Sequence, residues 1–129
     1  MIALGGGLGG LARYGLELAG PAAAGRIPWG TFAANVIGCA LVGVLMVLAT
    51  EVWSAHRLLR PFLGVGLLGG FTTFSTYAVE VRDLLEPGTA WVGLLYLAAT
   101  VLCCLAATIV AVWLTRLVAT PIRRSRSVR

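Results

Sequence analysis

Residues 64–81 read GVGLLGGFTTFSTYAVEV. The glycines Gly69 and Gly70 are followed closely by the hydroxyls of Thr72, Thr73, Ser75 and Thr76, with Phe74 and Tyr77 among them. These residue types suit ion binding rather than bond-making. Each glycine lowers helix propensity by roughly 1 kcal/mol relative to alanine, and threonine hydroxyls compete for backbone carbonyls. The helix is therefore expected to break near residues 69–73. Carbonyls released at the end of a half-helix carry partial negative charge and suit a cation such as Na⁺. The same residues also fit a packed glycine kink whose threonines bond back into their own helix. Phe74 and Tyr77 are three residues apart and share one helical face. Aromatic rings have positive edges that can face a small anion, although ordinary aromatic packing is the commoner arrangement for such a pair.

Other polar groups sit where the chain is otherwise apolar. Asn35 has Thr31 one turn before it. Its amide can donate to an anion or tie two helices together. Tyr96, Thr100, Cys104 and Thr108 follow one another at four-residue spacing, forming a hydroxyl and thiol stripe on one helical face. Facing Asn35 and Phe74, the stripe would make a polar track; threonines that bond back into their own helix are the alternative. Arg13 and Glu17 are four apart and can pair, or Arg13 can draw anions to a vestibule. Cys39, Cys103 and Cys104 read as small core residues. With His56 the sole histidine, no Cys/His metal site can be built. No nucleophile–base pair lies in the apolar runs, so an enzyme is not expected.

The elements that must position these residues are membrane helices. Of 129 residues, 59% are hydrophobic and 12% charged, and the mean hydropathy is +0.93. A bilayer-spanning helix needs ~20 mostly apolar residues. Four such runs cover about residues 1–18, 28–50, 61–85 and 90–118. The chain reads as an all-α membrane domain over residues 1–118, followed by a basic tail at 119–129. The first run lacks the basic region of a signal peptide and reads as a retained helix. Gly5 with Gly9, Gly6 with Gly10, Ala34 with Gly38 and Gly66 with Gly70 have the spacing that lets membrane helices approach closely.

All ten basic residues are arginine. Four helices put both termini and the loop between helices 2 and 3 on one side. That side holds Arg57, Arg60, Arg123, Arg124, Arg126 and Arg129, with Arg116 at its edge; the other holds Arg26 and Arg82. The bias places both termini in the cytoplasm. The basic tail suits anionic lipid headgroups better than nucleic acid.

Three stretches, GGGLGGLARY (residues 5–14), GTFAANVIG (30–38) and GLLGGFTTFSTY (66–77), resemble the small bacterial fluoride channel family, Fluc, also called CrcB. They fall in three helices in the family's order, and the lengths match. The resemblance implies an antiparallel dimer of two four-helix subunits in the bacterial inner membrane, crossing at the broken third helices. It implies a structural Na⁺ held by main-chain carbonyls, here those of Gly69 and Thr72. It implies passive fluoride export along the subunit interfaces. Pathway positions here are Asn35, Phe74, Tyr77, Thr73, Ser75, Thr100 and Thr108, with Arg13 at the vestibule.

A fluoride-selective pore must replace water with N–H, O–H and ring edges, yet hold the ion weakly enough to release it. The sequence departs from the family at Tyr77, which stands for a second phenylalanine. Thr100 stands where asparagine is frequent, and Cys103 and Cys104 where small residues are. The arginine bias is also unusual for a chain that inserts both ways. A heterodimer with an oppositely oriented paralogue is thus expected alongside the homodimer. Two other function classes compete. A proton-coupled exporter of dual topology needs a membrane carboxylate, for which helix 1 offers only Glu17. A non-transporting assembly subunit predicts no ion flux.

Overall fold

The computed structural model describes residues 1–21, 23–52 and 58–126. Trp53, His56, Arg57 and Arg129 lie outside them. Long apolar runs separated by glycine and proline turns give helices, and no strand occurs among the described residues. The helices are α1 (Ile2–Ala19), α2 (Trp29–Val47), α3 (Gly69–Phe71), α4 (Ser75–Leu84) and α5 (Ala90–Arg126). Two π-helical segments, Leu48–Val52 and Pro61–Leu68, follow α2 and precede α3. The turns that lead into α2 and α5 use glycine where the backbone is left-handed: Gly25 at φ 72° and Gly88 at φ 100°.

Three helical stretches are long and apolar enough to cross a bilayer: Trp29–Glu51, Pro61–Leu84 and Ala90–Ala119. The chain is a multi-pass membrane protein. α1 has 18 residues, but its glycines and the Arg13–Glu17 pair lower its hydropathy, and it falls short of the same measure. α5 continues through Arg126, so most of the stretch expected as a separate tail prolongs this helix. Its 37 residues span roughly 55 Å at ~1.5 Å per residue, well beyond a ~30 Å hydrocarbon core.

The glycines of α1 allow direct backbone packing on the third run. A Cβ on Gly5 would come within 2.7 Å of the Phe62 carbonyl, and one on Gly66 within 2.8 Å of the Ile2 carbonyl. Gly9 and Gly70 are equally closed, against Leu67 and Gly6. A Cβ on Gly6 or on Gly10 would face open space, although the Gly6 backbone lies against Gly70. Gly38 of α2 meets the Thr72 side chain in the same way.

The third run is not one regular helix. Gly69 and Gly70, where the sequence reading begins the interruption, are helical. Thr72 is extended at φ −85°, ψ 152°, and regular helix resumes at Ser75. The glycines hold the backbone against α1, while the hydroxyl residues leave the helix.

At the end opposite Gly25 and Gly88, Arg60 donates to the Ala49 carbonyl and Arg116 pairs with Glu51 at 2.9 Å. The core inside one chain is small: Tyr77, Val81, Leu84, Val92 and Tyr96, with Ile27 and Phe32 packed on it. Only 6% of the apolar stretch of α5 is buried. Most of that helix must therefore face lipid or a second subunit.

Candidate functional site

The site is built where α2, the residues between α3 and α4, and α5 meet. Asn35, 7% exposed, makes two bonds to one residue. Its Nδ2 donates to the Thr73 carbonyl at 3.0 Å, and its Oδ1 accepts the Thr73 amide at 2.9 Å. The amide orientation follows from the Thr73 N–H, which can only donate. A side chain thus supplies the partners that an extended residue would otherwise find on a neighbouring strand. Of the two sequence readings for Asn35, the tie between helices is the one observed, and its second Nδ2–H remains available to a ligand.

This pairing has a consequence for the carbonyls. In a continuous helix the Thr73 amide would bond to the Gly69 carbonyl and the Thr76 amide to the Thr72 carbonyl. Here the Thr73 amide goes to Asn35, and the Thr76 amide goes to Thr73 Oγ1 at 3.2 Å. The carbonyls of Gly69 and Thr72 are thereby released from their helical donors, as are those of Gly70, Phe71 and Thr73, the last of which accepts Asn35 instead. A carbonyl dipole without its donor suits a hard cation that takes oxygen ligands.

The hydroxyls divide. Thr72 bonds back to the Leu68 carbonyl at 3.0 Å, Thr100 to the Tyr96 carbonyl at 2.7 Å, and Thr108 to the Cys104 carbonyl at 3.0 Å. These three donate inward, so their oxygens rather than their protons are presented outward. Thr73 Oγ1 donates to Thr76 Oγ1 at 3.1 Å and lies 3.4 Å from Ser75 Oγ. An open groove of about 410 Å³ is lined by Asn35, Thr72, Thr73, Phe74, Tyr77, Thr100 and Thr108, together with Cys39 and Cys104. Ser75 does not line it, and Arg13 lies elsewhere.

Phe74 and Tyr77 differ sharply. Their ring centroids are 6.0 Å apart, but Phe74 is 80% exposed while Tyr77 is buried. Tyr77 meets Tyr96 edge-on at 5.3 Å and donates its hydroxyl to the Leu97 carbonyl at 2.9 Å. The departure from phenylalanine is absorbed by a backbone acceptor on α5. Arg13 pairs with Glu17 at 2.6 Å, which answers the first of its two readings.

One residue escaped the sequence reading. Glu80 of α4 accepts Thr31 Oγ1 at 2.7 Å and the Tyr96 hydroxyl at 2.8 Å. Both donors are fully enclosed. Glu80 also lines a second cavity of about 580 Å³ with Asp83 of α4 and with Arg26, Glu86 and Thr89 from the two turns at that end. Glu17, the carboxylate that helix 1 offers, pairs with Arg13, and Glu80 is a further, half-buried carboxylate with no cation among the described residues bonded to it. Its sequence signal was its place two turns after Thr73, on a helix whose neighbours supply Thr31 and Tyr96. Thr31, Asn35 and Cys39 share one face of α2, with Thr31 bonded to Glu80 and the other two lining the groove.

A family model described as CrcB-like protein, Camphor Resistance (CrcB), matches residues 1–112. The chain is 60% identical over 108 residues to the fluoride-specific ion channel FluC 2 of Nocardia farcinica, covering 84% of this chain and 77% of that one. It is 56% identical over 116 residues to FluC 1 of Streptomyces coelicolor, covering 90% and 75%. It is 58% identical over 100 residues to FluC 2 of Streptomyces avermitilis, covering 78% of this chain and 63% of the relative.

Proposed function

Because the chain belongs to the CrcB family, we propose that it is a fluoride channel that lets fluoride leave the cytoplasm passively. The observation that carries the reading is the Asn35–Thr73 pairing. It presents a spare amide N–H to the groove and frees the carbonyl that a buried cation needs.

Fluoride sheds water only where other donors replace it. The donors on offer are the second Asn35 N–H and the ring edges of Phe74 and Tyr77. Thr100 and Thr108 join them only by releasing their carbonyls. Neither group is a fixed cation, so an ion held here can leave again. The exposed Phe74 ring and the bare face of α5 support a second subunit packed across the groove. α1 is then the fourth span, and the two subunits lie antiparallel. The subunits are either identical or, given the arginine bias and the numbered names of the relatives, oppositely oriented paralogues. The bias favours cytoplasmic termini. Mapping the sidedness of tagged termini separates the two arrangements: equal populations in both orientations mean a homodimer.

Gly69 and Thr72 would hold a structural Na⁺ through their carbonyls, one pair from each subunit. A cation there lends the neighbouring groove a positive field without standing in the anion's path. The fit rests on the two diverted amides, Thr73 and Thr76. Arg13 stands at the vestibule with its charge moderated by Glu17.

The test is fluoride efflux from proteoliposomes, with chloride as control. Fluoride is expected to leave and chloride to stay. Phe74→Ile should slow efflux without dissociating the dimer on size-exclusion chromatography. Fluoride retention equal to that of empty liposomes, or equal passage of chloride, overturns the reading.

A further inference from the structure

The groove wall also carries a pair of thiols. Cys39 on α2 and Cys104 on α5 both line it. Thr108 Oγ1 lies 3.2 Å from the Cys39 carbonyl oxygen and 3.0 Å from that of Cys104, so one hydroxyl ties the two backbones at this level. One turn further, a Cβ on Gly43 would come within 2.8 Å of the Thr108 carbonyl. The helices therefore cross here at close range, with both cysteines on the wall of the same groove. Cys103 points elsewhere and is exposed.

We propose that Cys39 and Cys104 form a two-thiol site for a soft metal ion that accepts linear coordination, mercuric ion being the best match. Thiolates select soft ions. Among the described residues no third histidine, cysteine or carboxylate joins the pair, which excludes the four-ligand shell that zinc requires. Charge then chooses among soft ions. Mercuric chloride and two thiols give a neutral bis-thiolate, two protons and two chloride ions, with no change of oxidation state. A monovalent soft ion on two thiolates would leave a net negative charge, which is costly in an apolar span. Neutral mercuric chloride can also enter through apolar surroundings. The bound metal bridges α2 to α5 beside Asn35. The site stands independently of the channel reading, and only its effect on flux rests on that reading.

The probe is mercuric chloride on the full-length protein in proteoliposomes. Bound mercury and thiols still open to maleimide are read by mass spectrometry. One mercury per chain is expected, with Cys103 still reactive. Removing a mere hydrogen-bond partner of a metal ligand weakens binding roughly 10–100-fold, so Cys39→Ser and Cys104→Ser should each weaken retention at least as much. Cys103→Ser should retain mercury like the parent. Alanine versions repeat the test should a serine variant fail to fold. Mercury held equally by Cys39→Ser, or lost only in Cys103→Ser, overturns the site. In a second measurement each protein's treated fluoride efflux is compared with its own untreated rate. The parent should lose about tenfold or more, and the Cys39 and Cys104 variants little, as the weakening in binding implies. Mercury bound at the pair with efflux intact overturns the block. Mercury bound at the pair in a protein that carries no fluoride even untreated upholds the site and overturns the channel reading instead.

Discussion

Polar contacts in this chain fall into two sets that behave differently. One set closes within a single turn: Arg13 with Glu17, Thr72 with the Leu68 carbonyl, Thr100 with the Tyr96 carbonyl. The other joins separate elements: Glu80 with Thr31 and Tyr96, Asn35 with Thr73, Tyr77 with the Leu97 carbonyl. The two carboxylates Glu17 and Glu80 show the contrast best. Glu17 meets an arginine four residues away and is partly exposed. Glu80 has no such cation, and its partners lie 49 and 16 residues away. The local set satisfies groups that lipid would leave bare. The cross-helix set decides where the helices sit and what faces the groove.

Substitutions can break or sharpen this division. The largest effect is expected at Glu80. Glu80→Ala strands two enclosed hydroxyls, and each unsatisfied buried donor costs roughly 1–3 kcal/mol. The variant should lose that much from both, read as a clear fall in thermal stability in detergent. A Glu80→Ala protein as stable as its parent would dissolve the contrast. Next comes Asn35→Asp. Its carboxylate can still accept the Thr73 amide but cannot donate to the Thr73 carbonyl, and it sets a negative charge in an anion's path. Fluoride efflux should fall by about tenfold or more, in line with ~1.4 kcal/mol per decade. Parent-like flux would remove Asn35 from the pathway.

Smaller changes follow. Tyr77→Phe deletes one cross-helix bond while leaving the Leu97 carbonyl in its own helix, so roughly 0.5–1.5 kcal/mol of stability should go. Its fluoride flux should stay close to the parent's, because the hydroxyl points to α5 and not to the groove. Glu17→Gln should change stability least, by under about 1 kcal/mol, because the pair is partly exposed and closes within one helical turn. A proton gradient that drives export in the parent but not in Glu17→Gln would revive Glu17 as a coupling carboxylate. A drop in stability from Glu17→Gln larger than that from Glu80→Ala would invert the whole ordering.

The same division explains what could be read beforehand. Arg13–Glu17 is a four-residue spacing and needs only one helix to form. The glycine spacings of α1 and of residues 66–70 announced close packing, and their backbones do meet. Asn35 was singled out because an amide is expensive in an apolar run, but its partner could not be named. Glu80 went unnoticed because its neighbours in sequence, Val79, Val81 and Arg82, look like the exit from a membrane helix. Nothing local marks it as the partner of enclosed donors. The interruption falls at the hydroxyl end of the expected stretch 69–73 and not at its glycines, for a related reason. Propensity faults the glycines, whereas contact with α1 keeps them helical and Asn35 draws Thr73 out.

Hydropathy and period determined from the sequence alone that this is a helical membrane protein, since long runs of apolar side chains can satisfy their backbone in lipid only as helices. The three family stretches determined its kinship. Only the packed structure decided which carbonyls lose their donors, which hydroxyls turn inward, and which carboxylate takes enclosed donors. Those outcomes depend on partners tens of residues away. A polar group in a low-dielectric interior takes whichever partner packing brings within about 3 Å, and linear order does not say which one that is.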